Sequence, residues 1–262
     1  MQKLIEIMER LRDPTSGCPW DREQTFASIS RHTIEEAYEV ADAIQRDAMD
    51  ELKDELGDLL FQVAFYTQMA KEQSLFDFAD VLDSICAKMI RRHPHVFANE
   101  KIDTADQQTE AWEKHKAEER NRKQASGFSG QLDGVAQALP ALMRSTKLQK
   151  RAADVGFDWP DIQGPIEKIR EELEEVQVEI SSADSHARLE AEIGDLLFSC
   201  VNLARHAKVD AESALRRANQ TFETRYRAME SMLRAKDRKM QDLELDDMEE
   251  LWQQAKLGQA GK

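Results

Sequence analysis

The sequence predicts an all-α protein made of two tandem, repeated helical-bundle domains. Three observations carry that prediction: an internal duplication, apolar stripes at helical spacing, and a composition poor in helix breakers. Asp54-Glu55-Leu56-Gly57-Asp58-Leu59-Leu60-Phe61 is echoed by Ala191-Glu192-Ile193-Gly194-Asp195-Leu196-Leu197-Phe198. Upstream, Glu35-Glu36-Ala37-Tyr38-Glu39-Val40 is echoed by Glu171-Glu172-Leu173-Glu174-Glu175-Val176. Two blocks in the same order, at offsets of 136 and 137, mark one unit repeated twice rather than a solenoid of short repeats.

The stripes locate the helices. Ile34, Ala37, Tyr38, Ala41 and Ile44 recur every three or four residues, as do Leu52, Leu56, Leu59, Leu60 and Val63. In the second repeat Ile166, Ile169, Leu173, Val176 and Ile180 form one stripe, and Leu189, Ile193, Leu196, Leu197 and Val201 another. Further helices are predicted over 77–92 and 211–234, the former stopped by Pro94. Only 10 Gly and 6 Pro occur among 262 residues, against 33% charged residues. A Gly- and Ser-bearing stretch without an apolar stripe places a linker at 122–135. It separates a first domain, 1–121, from a second, 136–262.

Composition narrows the function. The formal net charge is −15, from 36 Lys and Arg against 51 Asp and Glu. That balance argues against a duplex nucleic-acid partner and against an anionic membrane surface. Small anions such as nucleotides remain open, because a divalent cation reverses the local sign. No apolar run approaches the length of a membrane span, and the charged first residues are unlike a signal peptide. Cys18, Cys86 and Cys200 show no CxxC spacing and read as reduced thiols of a cytoplasmic protein, with Cys86 and Cys200 as core fillers.

The carboxylates carry the chemistry. Glu172 and Glu175 share one helix face, and Glu192 and Asp195 share a face on the next helix. Each lies beside an apolar stripe, at the core boundary. Antiparallel packing of the two helices converges four carboxylates, whose repulsion a hard, oxygen-seeking Mg²⁺ relieves, with Mn²⁺ as an alternative. Gly194 is expected to let the helices approach closely there. A solvated acidic face is the bland alternative, made less attractive by the repetition. A di-iron centre needs Glu-x-x-His, and no histidine here has Glu three residues before it.

Glu-Glu-x-x-Glu followed by Glu-x-x-Asp, each present twice, resembles the MazG nucleoside triphosphate pyrophosphohydrolases. Gly17-Cys18-Pro19-Trp20-Asp21, Arg91-Arg92-His93-Pro94-His95-Val96-Phe97 and Val155-Gly156-Phe157-Asp158-Trp159 are similar to that family too. The resemblance covers nearly the whole chain and matches the two-domain bacterial form. It implies an all-α homodimer hydrolysing NTPs and dNTPs to monophosphate and pyrophosphate with Mg²⁺, by water attack at the α-phosphorus. It also implies a role in cleaning the nucleotide pool.

By the same resemblance the main site lies in the second repeat, with Glu172, Glu175, Glu192 and Asp195 as metal ligands. Glu171 or Glu172 is the proton acceptor. Lys168, Arg188, Thr221, Arg225 and Trp252, with Glu171 and Glu172, are the expected nucleotide-binding residues. One departure stands out: Thr221 occupies a position where the family typically has Lys. The first repeat keeps Glu36, Glu39, Glu55, Asp58, Lys88 and Arg92, so it is either a second site or a structural and regulatory copy. The competing readings are a nucleotide-binding sensor without turnover and a helical dimerisation module. His93 and His95 are expected to close a helix end rather than to ligate metal. Gly17-Cys18-Pro19-Trp20 reads as a structured turn, and the acidic stretch 242–250 as a solvated face.

Overall fold

The computed structural model describes residues 2–98, six positions between 102 and 112, 130–181 and 186–260. All described elements are helical. They divide into two units, Met1–Ser126 and Gly127–Lys262. Of the expected linker, 122–129 lies outside the described residues.

The first unit holds α1 (Gln2–Leu11), α2 (Pro19–Glu23), α3 (Phe26–Gln45), α4 (Met49–Glu72), α5 (Phe78–Arg92) and the single turn α6 (Pro94–Phe97). Thr25 starts α3 with a reciprocal cap: its Oγ1 accepts from Ser28 N at 3.1 Å, and Ser28 Oγ accepts from Thr25 N at 2.9 Å. Asp77 and Asp80 do the same for α5. The α5 helix ends at Arg92, with Pro94 opening the next turn. His93 closes that end, its Nδ1 lying 2.7 Å from Met89 O. The longest elements, α3 and α4, pack as a hairpin, and α1 lies against α4. Met8, Ile29, Phe65 and Met69 are buried between them, with Leu11, Phe26, Phe61 and Tyr66 at the margin. Each such burial contributes about 1.5–3 kcal/mol before chain entropy is counted.

The expected turn at Gly17-Cys18-Pro19-Trp20 lies between α1 and α2. A Cβ at Gly17 would stand 2.5 Å from Leu11 O, so the chain passes too closely for any side chain there. Arg12 fastens this turn: it pairs with Glu72 at 2.7 Å, donates to Asp21 O at 2.5 Å, and lies 5.4 Å from the Phe65 ring centre.

The second unit holds α7 (Ala141–Ala153), α8 (Gln163–Ser181), α9 (His186–His206), α10 (Ala211–Arg234), a 3-10 turn at Met240–Asp242, and α11 (Leu245–Ala260). The α8 and α9 helices form the hairpin that repeats α3 and α4, and α7 packs on α9. A separate core joins α10 to α11 through Met229, Leu233, Leu243, Leu251 and Ala255. The expected acidic stretch spans the start of α11, where Asp246 and Asp247 complement the positive end of the helix.

Two expectations are corrected. Cys86 and Cys200 are exposed rather than core fillers, because both fall on the outer flank of their helices. Gly194 is not needed for close helix approach: a Cβ there, or at the repeated Gly57, would meet nothing within 4 Å. The apolar stripes are also less covered than their period suggests. Ile34, Ile44, Leu56, Leu173, Ile193 and Leu197 all remain exposed on the described chain.

Candidate metal and nucleotide site

Helix spacing brings the predicted carboxylates of each repeat together. In the second unit, Glu172, Glu192 and Asp195 each offer an oxygen, and these lie within 4.8 Å of one another. Glu172 is buried, Glu192 half-buried and Asp195 exposed, so the group opens from the hairpin toward solvent. Lys168, one turn before Glu172 on α8, reaches both Glu171 Oε1 and Glu172 Oε1 at 2.7 Å. These two bonds hold the ammonium above its ordinary range, Glu171 contributing most. The other oxygen of Glu172, Oε2, is buried with no hydrogen-bond partner among the described residues.

Glu175 lies outside that set of three but interacts with it. Its pKa is raised, first by loss of solvent and then by Glu172 and Glu192. A buried, unpartnered carboxylate oxygen beside further carboxylates is costly as it stands. A divalent cation with oxygen preference fits this donor set.

The first unit repeats the arrangement. Glu36, Glu39 and Glu55 place oxygens within 4.8 Å of one another. The Glu36 carboxyl is pushed up by desolvation, then by Asp58, Glu39 and Glu55. Glu55 is pushed up by desolvation and then by Glu39 and Asp58. Six of the eight predicted carboxylates meet in these two groups, and Glu175 and Asp58 lie near enough to interact electrostatically with them.

The predicted cations are distributed differently. Arg225 lies 5.4 Å from the Trp252 ring centre, and Trp252 lies 5.4 Å from Phe222. These residues line a shallow cleft with Thr221 and Arg217. Thr221 Oγ1 is turned back onto its own helix, donating to Arg217 O at 2.8 Å. Arg188, at the start of α9, pairs with Glu179 of α8 at 3.5 Å. In the first unit Arg92 lies 4.9 Å from the Trp112 ring centre, and Lys88 is half-buried on the same helix. His93 and His95 rings stand 5.7 Å apart, with His93 also against Trp112.

Two residues beside these groups were not singled out from the sequence. Arg217, one turn before Thr221, puts a second positive charge in the cleft where Thr221 supplies none. Four-residue spacing to Thr221 and eight to Arg225 was the available signal. Trp112 repeats the arginine-on-tryptophan contact of Trp252. Its signal was only the recurrence of Trp beyond each basic helix.

A family model of the MazG nucleotide pyrophosphohydrolase domain matches residues 24–97 and again residues 163–229, and each match contains one carboxylate hairpin. The chain belongs to the MazG family. It is 50% identical over 257 residues to a nucleoside triphosphate pyrophosphohydrolase of Escherichia coli (strain K12), across 98% of this chain and 97% of that protein. It is 42% identical to a nucleoside triphosphate pyrophosphohydrolase/pyrophosphatase MazG of Thermotoga maritima, across 98% of this chain and 96% of that protein. A nucleoside triphosphate pyrophosphohydrolase of Mycobacterium tuberculosis is 38% identical across 70% of this chain and 51% of that protein. The two MazG matches coincide with the duplication seen in the sequence. Trp252 and α7 lie outside both.

Proposed function

We propose that this protein hydrolyses nucleoside triphosphates, NTPs and dNTPs alike, to the monophosphate and pyrophosphate, using Mg²⁺ or Mn²⁺ in the second unit. The observation that carries the proposal is the orphaned Glu172 Oε2 beside Glu192 and Asp195. The names of its MazG relatives support the same reaction.

Glu172, Glu175, Glu192 and Asp195 would hold the cation. When bound, it neutralises phosphate charge and acidifies water. Lys168 engages Glu172 Oε1 and leaves Oε2 buried and unanswered. Glu171 or Glu172 takes the proton of the attacking water. The ligand neighbours of Glu172 favour Glu171 for that task. Arg225, steadied over Trp252, and Arg217 supply positive charge for the phosphates, with Thr221 between them and Arg188 at the rim. Attack at the α-phosphorus requires these groups to hold the triphosphate in line.

The first unit, 1–121, is assigned a structural or regulatory role, with Glu36, Glu39, Glu55, Asp58, Lys88 and Arg92 kept as a possible second site. Apolar residues left exposed on both hairpins support a homodimer. No described helix is long and apolar enough to cross a membrane. The free cysteines support a cytoplasmic setting, and the net charge of −15 argues against duplex nucleic acid. The proposal extends to a role in clearing the nucleotide pool, as the family resemblance implies. Thr221, neutral and bonded to its own helix, favours one rival: a sensor that binds Mg²⁺-nucleotide without turnover.

The deciding experiment incubates the protein with Mg²⁺ and each common NTP and dNTP, then separates products. Glu172→Ala and Glu36→Ala run beside it. Monophosphate plus pyrophosphate, lost in Glu172→Ala alone, supports the second-unit site. Loss in Glu36→Ala alone moves the site to the first unit. Binding without turnover leaves the sensor.

A further inference from the structure

Lys168 sits on α8 one turn before the second-unit carboxylate group. Its Nζ reaches Glu171 Oε1 and Glu172 Oε1, both at 2.7 Å, so one ammonium bridges two neighbouring carboxylates. We propose that Lys168 is a stand-in cation: it weakens divalent-metal binding in the absence of nucleotide and makes that binding conditional on a triphosphate. The inference rests on the pyrophosphohydrolase reading above. It adds to that reading how metal and triphosphate come to depend on each other.

Charge is the first argument. A divalent cation held by Glu172 shares that carboxylate with the Lys168 ammonium, so two like charges meet and repel. The ammonium acts on Glu175 as well, opposing there the effects of Glu172 and Glu192. A triphosphate reverses the sign of the lysine's contribution, because its oxygens attract ammonium and metal alike. Lys168 therefore opposes the metal alone and favours metal and nucleotide together. By linkage the same coupling acts in both directions.

Burial makes this pairing matter. An exposed ion pair at four-residue spacing contributes little, because water screens it. Glu172 is 4% exposed, and its Oε2 is buried with no partner among the described residues. Charges in such a setting are screened far less than on an open surface. Lys168 itself is half-buried. Its flexible four-carbon stem and three rotatable donors let the ammonium pass from carboxylate to phosphate while α8 stays in place.

The duplication supplies the control. At the offset of 136 that pairs Glu35 with Glu171 and Glu36 with Glu172, Lys168 corresponds to His32. His32 Nδ1 lies 3.3 Å from Glu35 Oε2, which repeats the contact of Lys168 with Glu171. An imidazole carries a full charge only when protonated, whereas the lysine is charged throughout the physiological range. The permanent cation at this position is therefore a property of the second copy.

The test makes two binding measurements on the full-length chain with Lys168 and with Lys168→Met. Glu36→Ala is present in every sample, so that the first-unit group does not contribute. Mn²⁺ without nucleotide is titrated by electron paramagnetic resonance. The α,β-methylene analogue of ATP is titrated by calorimetry in excess Mn²⁺. Lys168→Met is expected to tighten Mn²⁺ alone about tenfold and to weaken the nucleotide about tenfold, the scale of one nearby charge in a partly wet site. Lys168→Arg, which keeps the charge, is expected to restore both constants toward those of the lysine protein. Lys168→Gln keeps a hydrogen-bond donor for Glu172 and decides the matter if Lys168→Met does not fold. Opposite shifts are the signature. Weakening of both constants would mean that Lys168 merely organises the carboxylates, and overturns the proposal. An unchanged Mn²⁺ constant overturns it too, and so does an unchanged nucleotide constant; either leaves the pyrophosphohydrolase reading intact. A wild-type protein that takes up neither Mn²⁺ nor nucleotide overturns the underlying reading, and the stand-in role with it.

Discussion

Lys168 and Glu172 stand one turn apart on α8, with Lys168 Nζ 2.7 Å from Glu172 Oε1. The pairing neutralises one oxygen of a buried carboxylate and leaves the other unanswered. Stability and the proposed reaction therefore make opposite demands on this residue. Glu172→Gln is expected to raise the metal-free melting temperature by a few degrees, since a like charge leaves the cluster. The same change is expected to lower turnover by at least about 100-fold. Thermal melts in EDTA, set beside initial rates in Mg²⁺, check both. A variant destabilised in EDTA would show that Glu172 serves packing instead.

Thr221 lies between Arg217 and Arg225 in one cleft. Thr221→Lys adds a third positive charge at helical spacing from two others. It is expected to cost about 0.5 kcal/mol of stability through like-charge repulsion. It is also expected to tighten Mg²⁺-nucleotide binding several-fold, about 1 kcal/mol, by meeting phosphate charge. Calorimetry with a non-hydrolysable triphosphate reads the second effect. No gain in affinity would place the phosphates away from α10.

Asp158 is held near a pKa of about 2, below the ordinary 3.8, chiefly by hydrogen bonding from Arg205 with help from His206. The folded state then binds fewer protons than the unfolded one. The resulting stability is fully present above 3.8 and is lost as pH falls toward 2. Allowing for solvent screening, Asp158→Asn is expected to cost about 1 kcal/mol at pH 7. Urea unfolding of both proteins at pH 7, 4 and 2.5 tests it. The gap between them should shrink over the two acidic points, and a constant gap would assign the loss to packing.

Leu197 is 54% exposed on α9, at one of the repeated positions. In the dimer proposed above, that surface meets a second copy. Leu197→Asp is expected to change the stability of the isolated chain by no more than about 0.5 kcal/mol, as for other surface changes. Sedimentation should nevertheless shift from dimer toward monomer. An unaltered dimer would locate the interface elsewhere.

Much of this was legible before any coordinates. The duplicated blocks identified both hairpins, and three-residue spacing put carboxylates on one face of each helix, while which of them meet depends on how the hairpin packs. The end of α5 at Arg92 followed from Pro94. What stayed hidden depends on partners distant in sequence. Gly194 looked like a close-approach residue, yet its open side is visible only once both helices are in place. Cys86 and Cys200 sit in apolar surroundings in the sequence but on the outer flank in space. Trp159 needs Gly164 beneath it and Asp158 needs Arg205 across from it, contacts no periodicity announces.

At the offset of 137 that pairs Gly57 with Gly194, buried Phe65 corresponds to half-buried Asn202, so the two copies differ in packing there. A ring packed among aromatic rings contributes more apolar cohesion than Asn202, whose Oδ1 accepts from Arg205 at 2.7 Å beside a cleft between α7 and α9. The first copy can therefore act as thermal ballast, and the second is the one whose persistence depends on what it binds. Scanning calorimetry should then show two transitions, with Mg²⁺ and nucleotide moving only the lower toward the upper. At this one position, duplication lets one copy pack a ring where the other borders a cleft.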